Sequence, residues 1–205
     1  TVQLKFVSAS LQTGPFGSQL HAEDYVNGGT PVINPSHLNA GQIIPDERVS
    51  VDDATAERLA VHRLFVGDVV FARRGEMGRC GVVAAAQAGW LCGTGSLRAR
   101  LRQDVAHPYY VSLVFTETRI SDVLTLSSVG STMDNLNTET LGSCHLPVPP
   151  VGEQRSIVSH VADSTAALDR VHSATSLSLD LLKERRAALI AAAVTGQVDV
   201  RGAVA

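Results

Sequence analysis

The chain has 205 residues, 17 Lys+Arg against 20 Asp+Glu, and a formal charge of −3 at pH 7. Hydrophobic residues make up 44% and charged residues 18%, the balance of a core-forming chain of one or two domains, which excludes global disorder. No apolar run approaches the roughly 20 residues of a membrane span, and 4% aromatics argue against a base-stacking platform for single strands. No basic-then-apolar signal pattern opens the chain, and Thr1 in place of Met allows that the stretch is cut from something longer. Cys80, Cys92 and Cys144 are odd in number and widely spaced, so a disulfide scaffold is not expected and a reducing cytoplasm is the simpler setting.

In chain order, "TGPFGS" (Thr13 to Ser18) has turn chemistry, and "TPVINPSHL" is a short apolar stretch between prolines. "SVDDATAERLAVHRL" offers Ser50 and Asp52 as helix caps and places Ala56, Leu59, Ala60 and Leu64 near helical spacing. "GDVVFARRG" predicts a strand over Val69, Val70 and Phe71, and "RCGVVAAA" a second, which makes a hairpin around "GEMG". "GSLRARLR" alternates Leu97, Ala99 and Leu101 with Arg98, Arg100 and Arg102. That period predicts a half-buried strand with three arginines on one face. "HPYYVSLVFTETRISDVL" predicts a helix with Pro108 in its first turn, and "NTETLGSCHLPVPP" ends in prolines that no central strand tolerates.

At Val151 the texture changes. Gly152 to Thr195 contains no Pro and no further Gly. Alternating steps of four and three from Ile157 visit Val161, Leu168, Val171, Leu182 and Leu189, and seven of the eleven positions visited are apolar. This predicts one long amphipathic helix with an imperfect heptad seam, stopped by Gly196. At ~1.5 Å per residue it is a rod of roughly 65 Å, too long to pack along its whole length on a small globule, so part of its stripe must meet another helix. The alternative is two helices broken near Ser173 to Ser178. The expected fold class is α+β: a mixed α/β globule over 1–149, a helical arm over 150–196 and a tail over 197–205.

Charge is uneven. Residues 73–102 carry six arginines against Glu76, a net of +5, while the rest of 1–150 sums to −8. A basic island in an acidic body can still hold a polyanion locally; the competing reading is a solvated strand face. Catalytic signatures are missing. The seven histidines are scattered without an HExxH or Cys-x-x-Cys cluster, so a metal is not expected. "GEMG" and "GTGS" are neither a phosphate loop nor a dinucleotide fingerprint. No base-methylation motif or Gly-x-Ser-x-Gly elbow is present, and nothing local supports Cys92 with His107 as a nucleophile pair. A binding and assembly protein remains.

"LPVPPVGEQRSIVSHV", the long helix and "LLKERRAALIAAAVTGQVDV" resemble the specificity subunit of type I restriction–modification enzymes. The matching positions are Leu146, Pro147, Pro149, Pro150, Glu153 and Gln154, then Arg185, Arg186, Leu189, Ile190, Thr195 and Gly196. "GPFGSQL", "GDVVFARRGEMGR" and "GSTMDNLNTETL" also look like recurrent stretches of the family's recognition domains. The resemblance implies a non-catalytic subunit whose recognition domain reads one part of a bipartite double-stranded DNA site. It implies long helices that pair antiparallel as a coiled coil and set the distance between two such domains. Methylation subunits, which carry the S-adenosylmethionine site, and restriction subunits would dock on this scaffold; no cofactor is expected on this chain. The usual subunit has two recognition domains and two helices, and here there is one of each. That leaves a half-length subunit that pairs with itself or a second half-subunit, or the C-terminal half of a longer chain.

On this resemblance the candidate DNA contacts are Gln19, Arg73, Arg74, Arg79, Ser96, Arg98, Arg100, Ser131, Thr132, Asn135 and Asn137. Arginine takes phosphates or guanine, Gln19 could read adenine, and a helix capped at Asn137 or Thr138 could receive a phosphate, with ordinary capping as the alternative. The candidate helix-pairing residues are Ile157, Val161, Leu168, Val171, Leu182 and Leu189. The rival reading is a coiled-coil assembly adaptor with a degenerate recognition domain, favoured by the acidic balance of residues 1–150.

Overall fold

The computed structural model describes residues 1–39, 41–44, 46, 48–75, 78–117 and 136–197. Two compact units divide the chain, Thr1–Val158 and Ser159–Ala205. The first two turns of the long helix therefore belong to the globular unit, beyond the boundary expected near residue 149.

Four antiparallel strands form the main sheet, in the order Ser8–Thr13, Ser96–Leu101, Val69–Ala72, Cys80–Val82. The expected hairpin around "GEMG" is present, Val69 pairing with Val82 and Phe71 with Cys80. Val69 to Ala72 are all buried rather than alternately so, because both faces of this strand are covered. Val69 and Phe71 pack with Leu4, Leu97, Val111 and Phe115 on one side, where the Phe71 and Phe115 rings meet edge to face at 4.7 Å. Val70 and Ala72 pack with Ile33, Leu38 and Leu64 on the other. A second sheet, in the order Leu91–Cys92, Thr30–Ile33, Ser50–Val51, Tyr25–Val26, contains one parallel pair. The prolines of "LPVPP" leave room only for the two-residue pairing of His145–Leu146 with Val2–Gln3.

Caps explain the short helices. The Asp52 side chain accepts from the Thr55 amide at 2.8 Å and starts Asp53–Arg58, while Ser50 lies in a strand. That helix is shorter than its apolar spacing predicted. Ala60–His62 tightens to a 3₁₀ turn, and Leu64 leaves the helix because its amide bonds to the Trp90 carbonyl at 2.8 Å. Pro108 opens Pro108–Phe115; the expected continuation over 118–124 lies outside the described residues.

The long helix runs unbroken from Val151 to Val194, 44 residues, with no break at Ser173 to Ser178. Hydroxyls inside it fold back onto the backbone: Thr165 donates to the Val161 carbonyl at 2.9 Å and Ser178 to the Ala174 carbonyl at 2.9 Å. Satisfied this way, Ser and Thr no longer compete for non-helical backbone. Gly196, at φ +74°, closes it in a Schellman arrangement, the Gln197 amide reaching the Ala192 carbonyl at 2.8 Å and the Gly196 amide the Ala193 carbonyl at 3.2 Å.

Candidate nucleic-acid interface

The arginine strand forms where its period predicts, but it is more buried than expected: Arg98 is inside, Arg100 keeps about a third of its side chain in water, and only Arg102 is exposed. Ser96–Leu101 is an inner strand, and the Val61 to Phe65 segment lies over its arginine face. Arg98 is 5% exposed. Its guanidinium donates to the Val61 and Arg63 carbonyls at 3.3 and 2.9 Å and to the Gln12 side chain on the adjoining strand. Burial, then the neighbouring Arg100 charge, pull it below the usual arginine range. Arg100 makes a two-pronged ion pair with the buried Asp68, both contacts at 2.9 Å, and lies 4.3 Å from the centre of the Phe65 ring. Ser96 is fully buried and donates to the Ile33 carbonyl at 2.9 Å. Two of the island's six arginines are thus tied into the scaffold, and Ser96 and Arg98, offered above as DNA contacts, are buried in this structure. Side-chain period shows which face a residue takes, and the layer over that face comes from segments distant in sequence.

Arg73 and Arg74 follow the Val69–Ala72 strand rather than lying within it, and they separate as adjacent residues should. Arg73 is half-buried, its Nε donating to the Leu136 carbonyl at 3.1 Å; burial, with the Arg74 charge second, lowers its pKa. Arg74 is exposed, and among the described residues no carboxylate pairs with it. Arg79 is half-buried, and its Nε has no partner among the described residues. Gln19 is exposed, but its side-chain oxygen accepts from the Phe16 amide at 3.2 Å, so it closes the turn. Asn137 is an ordinary cap, accepting from the Thr140 amide at 2.8 Å at the head of the six-residue helix Thr138–Ser143. Ser131, Thr132 and Asn135 lie outside the described residues.

Arg73 and Arg74 line an open cleft of about 900 Å³. Thr13, Phe16 and Gly17 of the first turn form one wall, Asn34 and Pro35 a second, and Thr94 and Gly95 a third. Among the described residues no acidic side chain lines it, and its two charged lining residues are both arginines. The turns are cinched backbone to backbone. A Cβ on Gly14 would lie 1.9 Å from the Gly93 carbonyl oxygen, and one on Gly93 would lie 2.1 Å from the Asn34 side-chain oxygen. The Gly14 amide bonds to the Ser96 carbonyl at 2.9 Å, and the Gly93 amide to the Ile33 carbonyl at 2.9 Å. A floor held this tightly is preorganised for a ligand. Sequence reasoning picked out the turn and both arginines but missed Phe16, Asn34 and Thr94, whose convergence depends on the fold.

All three cysteines are free and buried. Cys92 is buried, and burial pushes its thiol up to about 12; Cys80 is held at about 11 for the same reason. Among the described residues no three His, Cys, Asp or Glu side chains gather as a metal would need, and no helix is long and apolar enough to cross a membrane. Along the arm, Leu168, Val171, Leu182 and Leu189 are all exposed, while Ile157 and Val161 are half-buried.

Residues 10–173 match the family described as the type I restriction modification DNA specificity domain. No curated protein matches the chain. The HsdS subunit from Thermoanaerobacter tengcongensis shares the fold at a TM-score of 0.60 and 22% identity, over 93% of this chain and 47% of its own. A structure described as the basis of complex assembly and conformational transition of the type I R-M system aligns at 0.60 and 21%, over 90% and 43%. The type I restriction-modification system S subunit from M. genitalium aligns at 0.58 and 14%, again over 90% and 43%. The chain thus spans less than half the length of each of these subunits.

Proposed function

From a chain that belongs to the type I restriction–modification DNA specificity family, we propose a non-catalytic DNA reader that recognises one half of a bipartite duplex site. The family match over most of the globule and the start of the helix carries this reading. The cleft lined by Arg73 and Arg74 supports it, because fixed cations draw phosphates even where a domain is acidic overall. The exposed stripe of the arm pairs antiparallel with the same helix of a second copy or of a second half-subunit, and the methylation and restriction subunits dock on the paired scaffold. S-adenosylmethionine belongs to the methylation subunit, and the setting is the cytoplasm.

The test is co-purification with the neighbouring gene products, followed by duplex binding at low and moderate salt. A DNA reader recovers a methylation subunit and binds with a steep salt dependence, because phosphate contacts release counterions. Recovery of other proteins with no salt-dependent duplex binding would establish the assembly-adaptor reading instead.

A further inference from the structure

Three of the five phenylalanines are exposed: Phe6 at 61%, Phe16 at 62% and Phe65 at 56%. Two of them have a cation over the ring. Lys5 Nζ stands 5.2 Å from the Phe6 centroid, and the Arg100 guanidinium 4.3 Å from that of Phe65. Phe71 and Phe115 stack on each other in the core. Among the described residues Phe16 alone of the phenylalanines has no ring partner, and it lines the cleft beside Arg73 and Arg74. Its turn is not loose. Phe16 and Gln19 exchange hydrogen bonds, the Gln19 amide donating to the Phe16 carbonyl at 3.3 Å and the Phe16 amide to the Gln19 side chain at 3.2 Å. The turn is anchored just before the ring by the contact of Gly14 with Gly93. An apolar ring is thus held in water, beside an exposed guanidinium and the polar side chains of Thr13, Asn34 and Thr94.

We propose that Phe16 is a specificity-determining residue: its ring packs on the 5-methyl group of a thymine in the major groove while Arg74 holds the neighbouring backbone. This deepens the DNA-reading function and rests on it. The chemistry follows from what the rim offers. Among the base-pair edges of the major groove, thymine is the one that presents a methyl group beside hydrogen-bonding atoms, so a rim mixing one apolar ring with hydroxyl, amide and guanidinium groups suits it. Arg74, unpaired by any described carboxylate, supplies the sequence-independent attraction that positions the duplex. The anchored turn fixes the ring before DNA arrives, so little ordering cost is left to binding.

The test uses the full chain assembled with its methylation subunits and a randomised duplex pool. Wild type, Phe16→Ala and Phe16→Leu are compared, and the preferred duplex is then remade with uracil in place of each thymine. Phe16→Ala is expected to lose the thymine preference at one position and to bind the selected duplex about four- to tenfold more weakly, the scale of one lost methyl contact. Phe16→Leu retains most of the preference. Uracil at that position weakens wild type by a similar factor and Phe16→Ala no further. Identical selected sequences from wild type and Phe16→Ala overturn the inference while leaving the DNA-reading function intact. An equal penalty for uracil in both proteins also overturns it, and would mark the ring as a wedge between base steps or as unconnected with that methyl. A wild-type complex that selects no sequence removes the function and the inference together.

Discussion

The two units treat the same residue types in opposite ways. In the globule Leu4, Ile33, Leu64, Leu97 and Leu141 are completely buried, whereas along the arm Leu168 is 69% and Leu182 60% exposed. The globule supplies its own cover, because its main sheet has apolar layers on both faces. The arm is one helix, and one helix has nothing of its own to bury a stripe against. Helical propensity gives a lone rod little net stability, which is why we propose that its leucines meet a partner helix. Apolar periodicity therefore means core in the globule and, on the proposed pairing, interface in the arm.

The sharpest way to break that comparison is to charge the stripe. Leu168→Asp with Leu182→Asp should cost roughly 4 kcal/mol or more of pairing, since each carboxylate would be buried unpaired at a helix–helix seam. The globule's melting temperature should not move, because neither residue contributes to its core. Light scattering after size exclusion reads the pairing, and thermal unfolding reads the globule. A wild-type monomer at tens of micromolar would refute self-pairing and leave the stripe to another protein. A lowered melting temperature would show that the arm supports the globule.

Next in size is Gln154, a polar residue used as core. It is completely buried at the start of the helix. Its amide nitrogen donates to the Val105 and Pro149 carbonyls at 2.8 and 2.7 Å, and its oxygen accepts from the His107 amide at 2.7 Å. Gln154→Ala removes the partner of all three backbone groups at once, so we expect a loss of about 3 kcal/mol in denaturant unfolding of the globule. Gln154→Glu should be costly too, because a carboxylate cannot donate to the two carbonyls. A near-neutral alanine variant would show that water replaces the side chain.

Arg100→Ala comes third. It leaves the buried Asp68 carboxylate with the Phe65 amide as its one remaining described hydrogen-bond partner. We expect about 2 kcal/mol, less than a fully buried pair would cost, because Arg100 keeps about a third of its side chain in water. The DNA sequence selected by the complex should stay the same. A changed preference with unchanged stability would return Arg100 to the DNA face.

Much of this was legible in the sequence, for identifiable reasons. The hairpin around "GEMG", the arginine strand and the long helix come from periods of two and of roughly three and a half, which are local properties of the chain. Capping at Asp52 and Asn137 is local too. What local pattern could not supply was the third dimension. Arg98 and Arg74 are equally basic in sequence, yet one bonds to carbonyls of the Val61 to Arg63 segment and the other faces a cleft. Phe16 was visible as part of a turn, and its place beside Asn34 and Thr94 depends on two glycine contacts that pull distant loops together. The family resemblance identified the Glu153-Gln154 step without showing that its two residues have opposite surroundings.

That step gives the smallest effect. Glu153 and Gln154 are adjacent in the first turn, yet Gln154 is buried and Glu153 exposed. Both backbone amides donate to the Pro150 carbonyl, at 2.9 and 3.1 Å. Pro149 and Pro150 restrict the backbone that leads into this turn. The Glu153 side chain has one further role, a negative charge near the positive end of the helix dipole. Glu153→Lys reverses that charge and should lower stability by ~0.5–1 kcal/mol, an effect that salt screens. Glu153→Gln should lose about half as much. Urea unfolding at low and high salt separates the charge effect from packing: a penalty that persists at high salt would point to a packing role for Glu153, and a shift in the DNA sequence selected by the complex would refute a purely structural one.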